Sequence, residues 1–180
     1  MERYIAFLRG INVGGHRKVT MGQLRECLQV LPIQDLQTYI QSGNMVFTAQ
    51  IDEEGVLEKG IAEAMFNYFG FEVPVLVRTV GKIAQIFKAN PFWDTPGFNA
   101  KKAYFVLLHQ LPEVDHRGHL AQLDEGSEEV ILIGDCVYLY CHKGYGTAKI
   151  NNNTIEQKLN VSATTRNFNT VQRLLEMAQS

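Results

Sequence analysis

Cysteine is scarce in this chain: Cys27, Cys136 and Cys141 are the only three among 180 residues. An odd number without metal-ligand spacing excludes a disulfide-framed secreted scaffold and a zinc ribbon. The three are read as reduced thiols, small and apolar, in a reducing compartment, and a cytoplasmic protein is expected. No apolar run approaches the length of a membrane span, and residues 4–8, closed by Arg9, are too short for the apolar core of a signal peptide. A membrane partner is therefore not expected. A surplus of positive charge is missing too: 17 Lys and Arg stand against 19 Asp and Glu, a formal net charge of −2. Any contact with a polyanion then depends on a local patch, and nucleic acid is not the expected partner.

The familiar chemistry-bearing motifs are also absent. The glycines of residues 10–15 match neither a phosphate-binding P-loop nor a dinucleotide fingerprint. Ser42 lies in a hairpin pattern, without the strand-to-helix elbow of a hydrolase nucleophile. Asp115, His116 and His119 have loosely ligand-like spacing, but no further His or Cys completes a set, so no metal is expected. The acids Glu53, Glu54, Glu125, Glu128 and Glu129 sit at helix starts or turns and read as solvated. No residue stands out as a general base, so a catalytic residue, a cofactor and a reaction class are left unassigned.

What is present is a globular composition, 46% hydrophobic and 20% charged, in a chain long enough to bury roughly 70% of its unfolded surface. Residues 4–8 predict a strand and residues 10–18 a glycine-rich turn. Thr20 with Gln23 forms a capping box, opening a helix striped by Met21, Leu24, Leu28 and Leu31 before Pro32. Residues 38–41 and 45–48 predict strands joined at Ser42-Gly43-Asn44. Asp52 is expected to cap a helix that carries Leu57, Ile61, Met65 and Tyr68 on one stripe and ends at Gly70. Residues 73–77 then predict a fourth strand, completing β-α-β-β-α-β.

A helix with Ile83, Ile86 and Phe87 on one side leads to residues 90–97, which hold two prolines and the lone Trp93, expected to anchor packing between the halves. Residues 103–108 predict a strand and residues 119–123 a short helix. Residues 130–133 and 137–141 pair across Gly134-Asp135. Asn153 with Glu156 and Asn169 with Gln172 read as capping boxes on either side of a strand at 163–166, with Phe168 as an apolar staple on the last helix. The same order has appeared twice, without evident sequence identity between the halves. The expectation is an α+β protein of two tandem ferredoxin-like (βαββαβ, alpha-beta plait) domains, residues 1–80 and 103–180 with a C-terminal helix, joined by a helix and Pro/Trp loop at 81–102.

Right-handed crossovers place the first strand-helix loop of such a plait beside its central hairpin. That gathers Arg9, Asn12, Gly14, Gly15, Arg17 and Lys18 near Gln41, Ser42 and Asn44. Cations, a polar hairpin and a helix start suit an anionic group, with Asn12, Gln41 and Asn44 able to read it by hydrogen bonds. In the second half the same logic brings residues 143–149, including Lys149, to Arg166 and Asn167. Glycine conformation, solvated charge and helix capping are the competing explanations of both clusters.

The segments Leu-Arg-Gly-Ile-Asn-Val-Gly-Gly (8–15), Thr-Tyr-Ile-Gln-Ser-Gly-Asn (38–44), Asn-Pro-Phe (90–92) and Ala-Thr-Thr-Arg-Asn-Phe-Asn-Thr-Val (163–171) closely resemble a bacterial family catalogued only as a domain of unknown function. The likeness runs over nearly the whole chain, with Phe168 standing where the resemblance leads one to expect tryptophan. It implies two ferredoxin-like plaits and carries no reaction. Binding of a small anionic metabolite, with or without turnover, is the leading expectation. A structural or interaction protein working through a sheet edge is the alternative, ahead of a single-stranded RNA module. Against the last, residues 44–49 lack the paired aromatics of an RNA-recognition strand.

Overall fold

The computed structural model describes residues 1–51, 53–123 and 126–179, apart from the side chains of Ala121 and Gln122. The chain divides into two compact units, Met1–Gln85 with Arg173–Ser180, and Ile86–Gln172. Unit 1 runs β1 (Glu2–Leu8), α1 (Met21–Cys27), β2 (Ile33–Tyr39), β3 (Asn44–Ala49), α2 (Glu54–Phe69) and β4 (Val75–Thr79), followed by α3 (Val80–Lys88). Its strands form one antiparallel sheet in the order β2-β3-β1-β4. Unit 2 runs β5 (Ala103–Leu108), α4 (Val114–Arg117), β6 (Glu128–Ile133), β7 (Cys136–Cys141), α5 (Asn152–Leu159) and β8 (Ala163–Asn167), followed by α6 (Phe168–Met177). Its sheet order, β6-β7-β5-β8, is the same. Both units are ferredoxin-like.

The repeat reaches the level of single hydrogen bonds. At the end of β1, the Leu8 N–H donates to the Gly43 carbonyl at 2.8 Å and the Arg9 N–H to that of Pro74 at 3.0 Å. At the end of β5, Leu108 donates to Asp135 and His109 to Ser162, both at 2.9 Å. Leu8 thus corresponds to Leu108 and Arg9 to His109. Arg78, paired in register with Ile5, corresponds to Arg166, paired with Phe105.

Period-two alternation builds each helix-facing core. Tyr4, Ala6 and Leu8 of β1, Met45 and Phe47 of β3, and Val75 and Val77 of β4 meet Leu24 of α1 and Leu57, Ile61 and Met65 of α2. In unit 2, Val106, Leu108, Val137, Leu139 and Ala163 meet Ile155 and Leu159 of α5. All three cysteines are buried and free, and burial pushes the Cys27 and Cys141 thiols up to about 11. They are not nucleophiles at neutral pH. The opposite face of the unit 2 sheet carries a ring cluster in which Phe168 lies 4.8 Å from Phe87, 5.1 Å from Trp93 and 5.6 Å from Phe98. Phe168 is a core residue, not a helix staple.

Several local expectations need correction. The Thr20–Gln23 capping box is present, but α1 gives way to a 3-10 turn at Leu28–Val30. α5 is capped by Asn151, whose Oδ1 accepts from Asn153 and Thr154, and α6 by Asn167, whose Oδ1 accepts from Thr170. In both cases the cap lies two residues before the expected one. Tyr68 is 44% exposed, off the buried stripe, and donates to Glu26 at 2.9 Å. The expected Asp52 cap and Glu125 lie outside the described residues.

The acids are not all solvated. β4 is an edge strand, and its outward N–H groups at Val77 and Thr79 donate to Glu58 and Glu54 of α2 at 2.9 and 3.0 Å. The Arg78 guanidinium, 7% exposed, bonds Glu58 at 3.0 Å and the Val77 carbonyl at 2.7 Å. One helical turn of α2 therefore closes the edge and neutralises a buried cation. In unit 2, Glu156 of α5 accepts from the Ala163 N–H of edge strand β8 at 2.7 Å. Removing Glu58 strands a buried N–H and weakens the neutralisation of a buried charge. Glu58→Ala is expected to lower stability by about 2–4 kcal/mol, against less than about 1 kcal/mol for the exposed Glu129→Ala. Urea unfolding of both variants checks this, and equal losses would show that the edge carboxylate is not structural.

Candidate functional site

The glycine-rich segment after β1 is a miniature hairpin arm. The Asn12 N–H donates to the Arg17 carbonyl and the His16 N–H to that of Val13, both at 3.1 Å, with Val13 and His16 bridged as antiparallel partners. Gly14 and Gly15 take φ of 60° and 79°, the positive values that a tight two-residue hairpin turn demands at both central positions. The Asn12 side chain fastens this arm at its base. Its Nδ2 donates to the carbonyls of Val19 at 2.8 Å and Gln41 at 2.7 Å, and its Oδ1 accepts from the Val19 N–H at 2.9 Å. Ile11, 2% exposed, plugs the arm into the core.

The loop and hairpin therefore meet as the crossover rule requires, but the Asn12 and Asn44 amides bond to the protein itself. Asn44 is fully buried, donating to Ser42 Oγ at 2.9 Å and the Tyr39 carbonyl at 3.2 Å. Gln41 contributes its carbonyl to Asn12 and is otherwise exposed. Gly43 has φ of 74°, and a Cβ there would stand 2.6 Å from Leu8 Cβ, so no larger residue fits the crossing. What faces outward is charge. Arg17 and Lys18 are exposed and Arg9 is half-buried. Arg17 folds back so that its guanidinium reaches the space beside Gly10 and sits 5.9 Å from the Phe71 ring centroid. The segments gathered here, residues 9–20, 40–43 and 70–74, carry Arg9, Arg17 and Lys18 against the one acid Glu72.

The second cluster also assembles, within unit 2. The Tyr145 ring lies 4.7 Å from that of Tyr104, whose register partner is Asn167, and Thr165 Oγ1 donates to Asn152 Oδ1 at 2.8 Å. The start of α5 is occupied from within: the Asn152 N–H donates to the Tyr145 hydroxyl, and Asn153 and Thr154 to Asn151. Lys149 is exposed, with its carbonyl accepting from Thr154 Oγ1. Asn167 is committed to its cap. Arg166 is half-buried, one N–H on the Thr165 carbonyl at 2.9 Å, and loss of solvation lowers its guanidinium to about 10. Arg166, paired with Phe105, leaves β8 on the opposite face from Thr165 and Asn167.

Among the described residues, no three of His, Cys, Asp and Glu gather as a metal site. The His116 and His119 rings are 5.7 Å apart, with Glu113 4.0 Å from His116 Nδ1. One feature of unit 1 lay outside the sequence expectations: a groove of about 570 Å³ between the outer face of α2 and residues 72–74, floored by Ala62, Phe66, Val73 and Pro74. Phe66, 50% exposed, was its signal, as an aromatic residue off the Leu57, Ile61, Met65 stripe.

Two ferredoxin-like units in tandem, one bearing a cationic arm, define the class of this protein. The chain belongs to the family described as "Protein of unknown function (DUF1697)", whose model matches residues 1–138. Among solved structures it is similar to the conserved bacterial protein SP0830 from Streptococcus pneumoniae, at 22% identity over 98% of both chains with a TM-score of 0.72, a likeness of fold. No curated protein matches.

If Asn12 fastens the arm, its loss should free the Val19 amide. Asn12→Ala is expected to raise the hydrogen-exchange rate of Val19 about five- to tenfold, one hydrogen bond's worth of protection at roughly 1–1.4 kcal/mol. The Phe47 amide in the sheet should stay protected. Unchanged exchange at Val19 would mean that the turn alone holds the arm.

Proposed function

We propose that the protein binds a small anionic molecule at the arm end of unit 1, with Arg17 and Lys18 as the principal contacts and Arg9 contributing from the base. One observation carries this reading: the arm is something the fold does without. At the matching end of β5, the chain passes from His109 through Gln110, Leu111, Pro112 and Glu113 into α4 with no such hairpin, and Arg9 is matched by His109. A feature required by the plait would be repeated with it. The arm instead carries Arg17 and Lys18 next to each other, like charges whose Coulomb cost an anion would offset. Of the segments that carry the family resemblance, residues 8–15 build the arm and residues 38–44 anchor it.

The test is calorimetric titration and thermal shift with inorganic phosphate, nucleoside monophosphates and citrate. A ligand at a hundred times its dissociation constant stabilises the fold by about 2.7 kcal/mol. Arg17→Ala should weaken its binding roughly tenfold or more, and added salt should weaken it further. Binding that ignores Arg17, Lys18 and salt would move the site elsewhere.

A second reading, association with another chain through a sheet edge, draws on β6. The other edges are obstructed: β2 by an irregularity between Gln34 and Gln37 with Asp35 at φ of 52°, β4 by Glu54 and Glu58, β8 by Glu156. β6 keeps regular register with β7 over six residues, and Ile131 and Ile133 are 39% and 43% exposed. Among the described residues, no side chain bonds to its outer backbone. Sedimentation should then show mass rising with concentration in the wild type and not in Ile131→Lys. A constant monomer mass up to about 1 mM would remove this reading.

A further inference from the structure

We infer that the anion bound at the arm carries an apolar body, which lies in the α2 groove: the ligand is a single amphipathic molecule, an alkyl or acyl chain ending in phosphate or carboxylate. This rests on the reading of the arm as an anion site. The two features share a wall. Residues 72–74 line the groove, and the arm is attached to the same segment from both sides, by the Arg9 N–H on the Pro74 carbonyl at 3.0 Å and by Arg17 over Phe71 at 5.9 Å. A cationic end and an apolar trough are thus contiguous along one stretch of chain. At about 570 Å³ the groove falls within the range of small-molecule sites.

The groove's own polar groups agree with this polarity. Lys59 and Glu63 pair across one helical turn at 3.8 Å, which leaves Glu72 to set the local sign. A negative head is repelled there and drawn to Arg17 and Lys18, while the half-exposed Phe66 ring offers apolar surface to the chain. A hydrophilic anion would leave that surface wet. A cationic amphiphile would place its charge against the arm.

The experiment titrates the intact protein with octyl phosphate below its micelle concentration, alongside inorganic phosphate, octyl glucoside and octyltrimethylammonium. Octyl phosphate is expected to bind at least about tenfold more tightly than inorganic phosphate, because each buried methylene adds to the transfer. The other two amphiphiles should bind at least tenfold more weakly than octyl phosphate. Phe66→Ala, at a half-exposed position, should erase the advantage of the chain and leave phosphate affinity unchanged, whereas Arg17→Ala should weaken both. Glu72→Gln should tighten both. If phosphate binds through Arg17 but the octyl chain adds nothing, or Phe66→Ala is without effect, the inference is overturned and the anion site stands. If neither anion binds, both fall. Binding to phosphatidylglycerol vesicles without binding of monomeric octyl phosphate would also overturn it.

Discussion

A strand at the centre of a sheet has backbone bonds to complete on both sides at its last residues, and the arm end of unit 1 follows from that requirement. Leu8 must find an acceptor towards β3 and Arg9 one towards β4, and they find Gly43 and Pro74. Three chain segments are thereby drawn to one point before any side chain has a preference. Gly43 is the steric consequence, since only a residue without Cβ passes Leu8 at this distance. Asn12 then uses both amide protons and its oxygen to fix a fourth segment, the arm, on top of the three. The cations come last. They ride on a frame that neutral hydrogen bonds hold in place, so their mutual repulsion cannot displace the backbone that carries them.

The edges show a different division of labour. A carboxylate on the helix packed beside an edge strand accepts from an N–H that would otherwise invite another strand, and it does so in both units. In unit 1 the same carboxylates neutralise Arg78. At the matching strand position in unit 2 stands Arg166, while Asn152 takes the Thr165 hydroxyl. The two arginines thus occupy one position of the repeat. Their shared bond to the preceding carbonyl, at 2.7 and 2.9 Å, indicates that the guanidinium's reach around the edge is what the two plaits have in common.

The plait itself was legible because it is written in short-range signals. Alternation at residues 4–8 and 103–108, glycine at 70 and 134, and the Thr20 capping box each specify local geometry, and handed crossovers convert their order into a topology. The meeting of the first loop with the hairpin was legible for the same reason. What stayed hidden was the use of each polar group. Nothing in the spacing of Asn12, Gln41 and Asn44 distinguishes an amide that reads a ligand from one that closes a turn, because the difference lies in partners 2 to 29 residues away. Glu54 looked solvated because the N–H it accepts from lies 25 residues on, in β4. The helix caps were misplaced by two residues where asparagines cluster, at 151–153 and at 167 and 169, since every one of them satisfies the same local rule.

Internal repetition offers a separation that neither fold nor motif supplies alone. Where the units agree, as in the carbonyls that end β1 and β5 or the carboxylates on their outer edges, the plait is sufficient cause. Where they differ, a cause beyond the plait is needed. Two differences lie in unit 1: a hairpin arm carrying Arg17 and Lys18, and a groove lined by the exposed Phe66 of α2 and by residues 72–74. Clustered like charge costs free energy in water, and the short connection from β5 to α4 in unit 2 shows that the architecture does not require it. Arm and groove share residues 71–74, and one molecule spanning both would offset the charge and cover the exposed Phe66 ring.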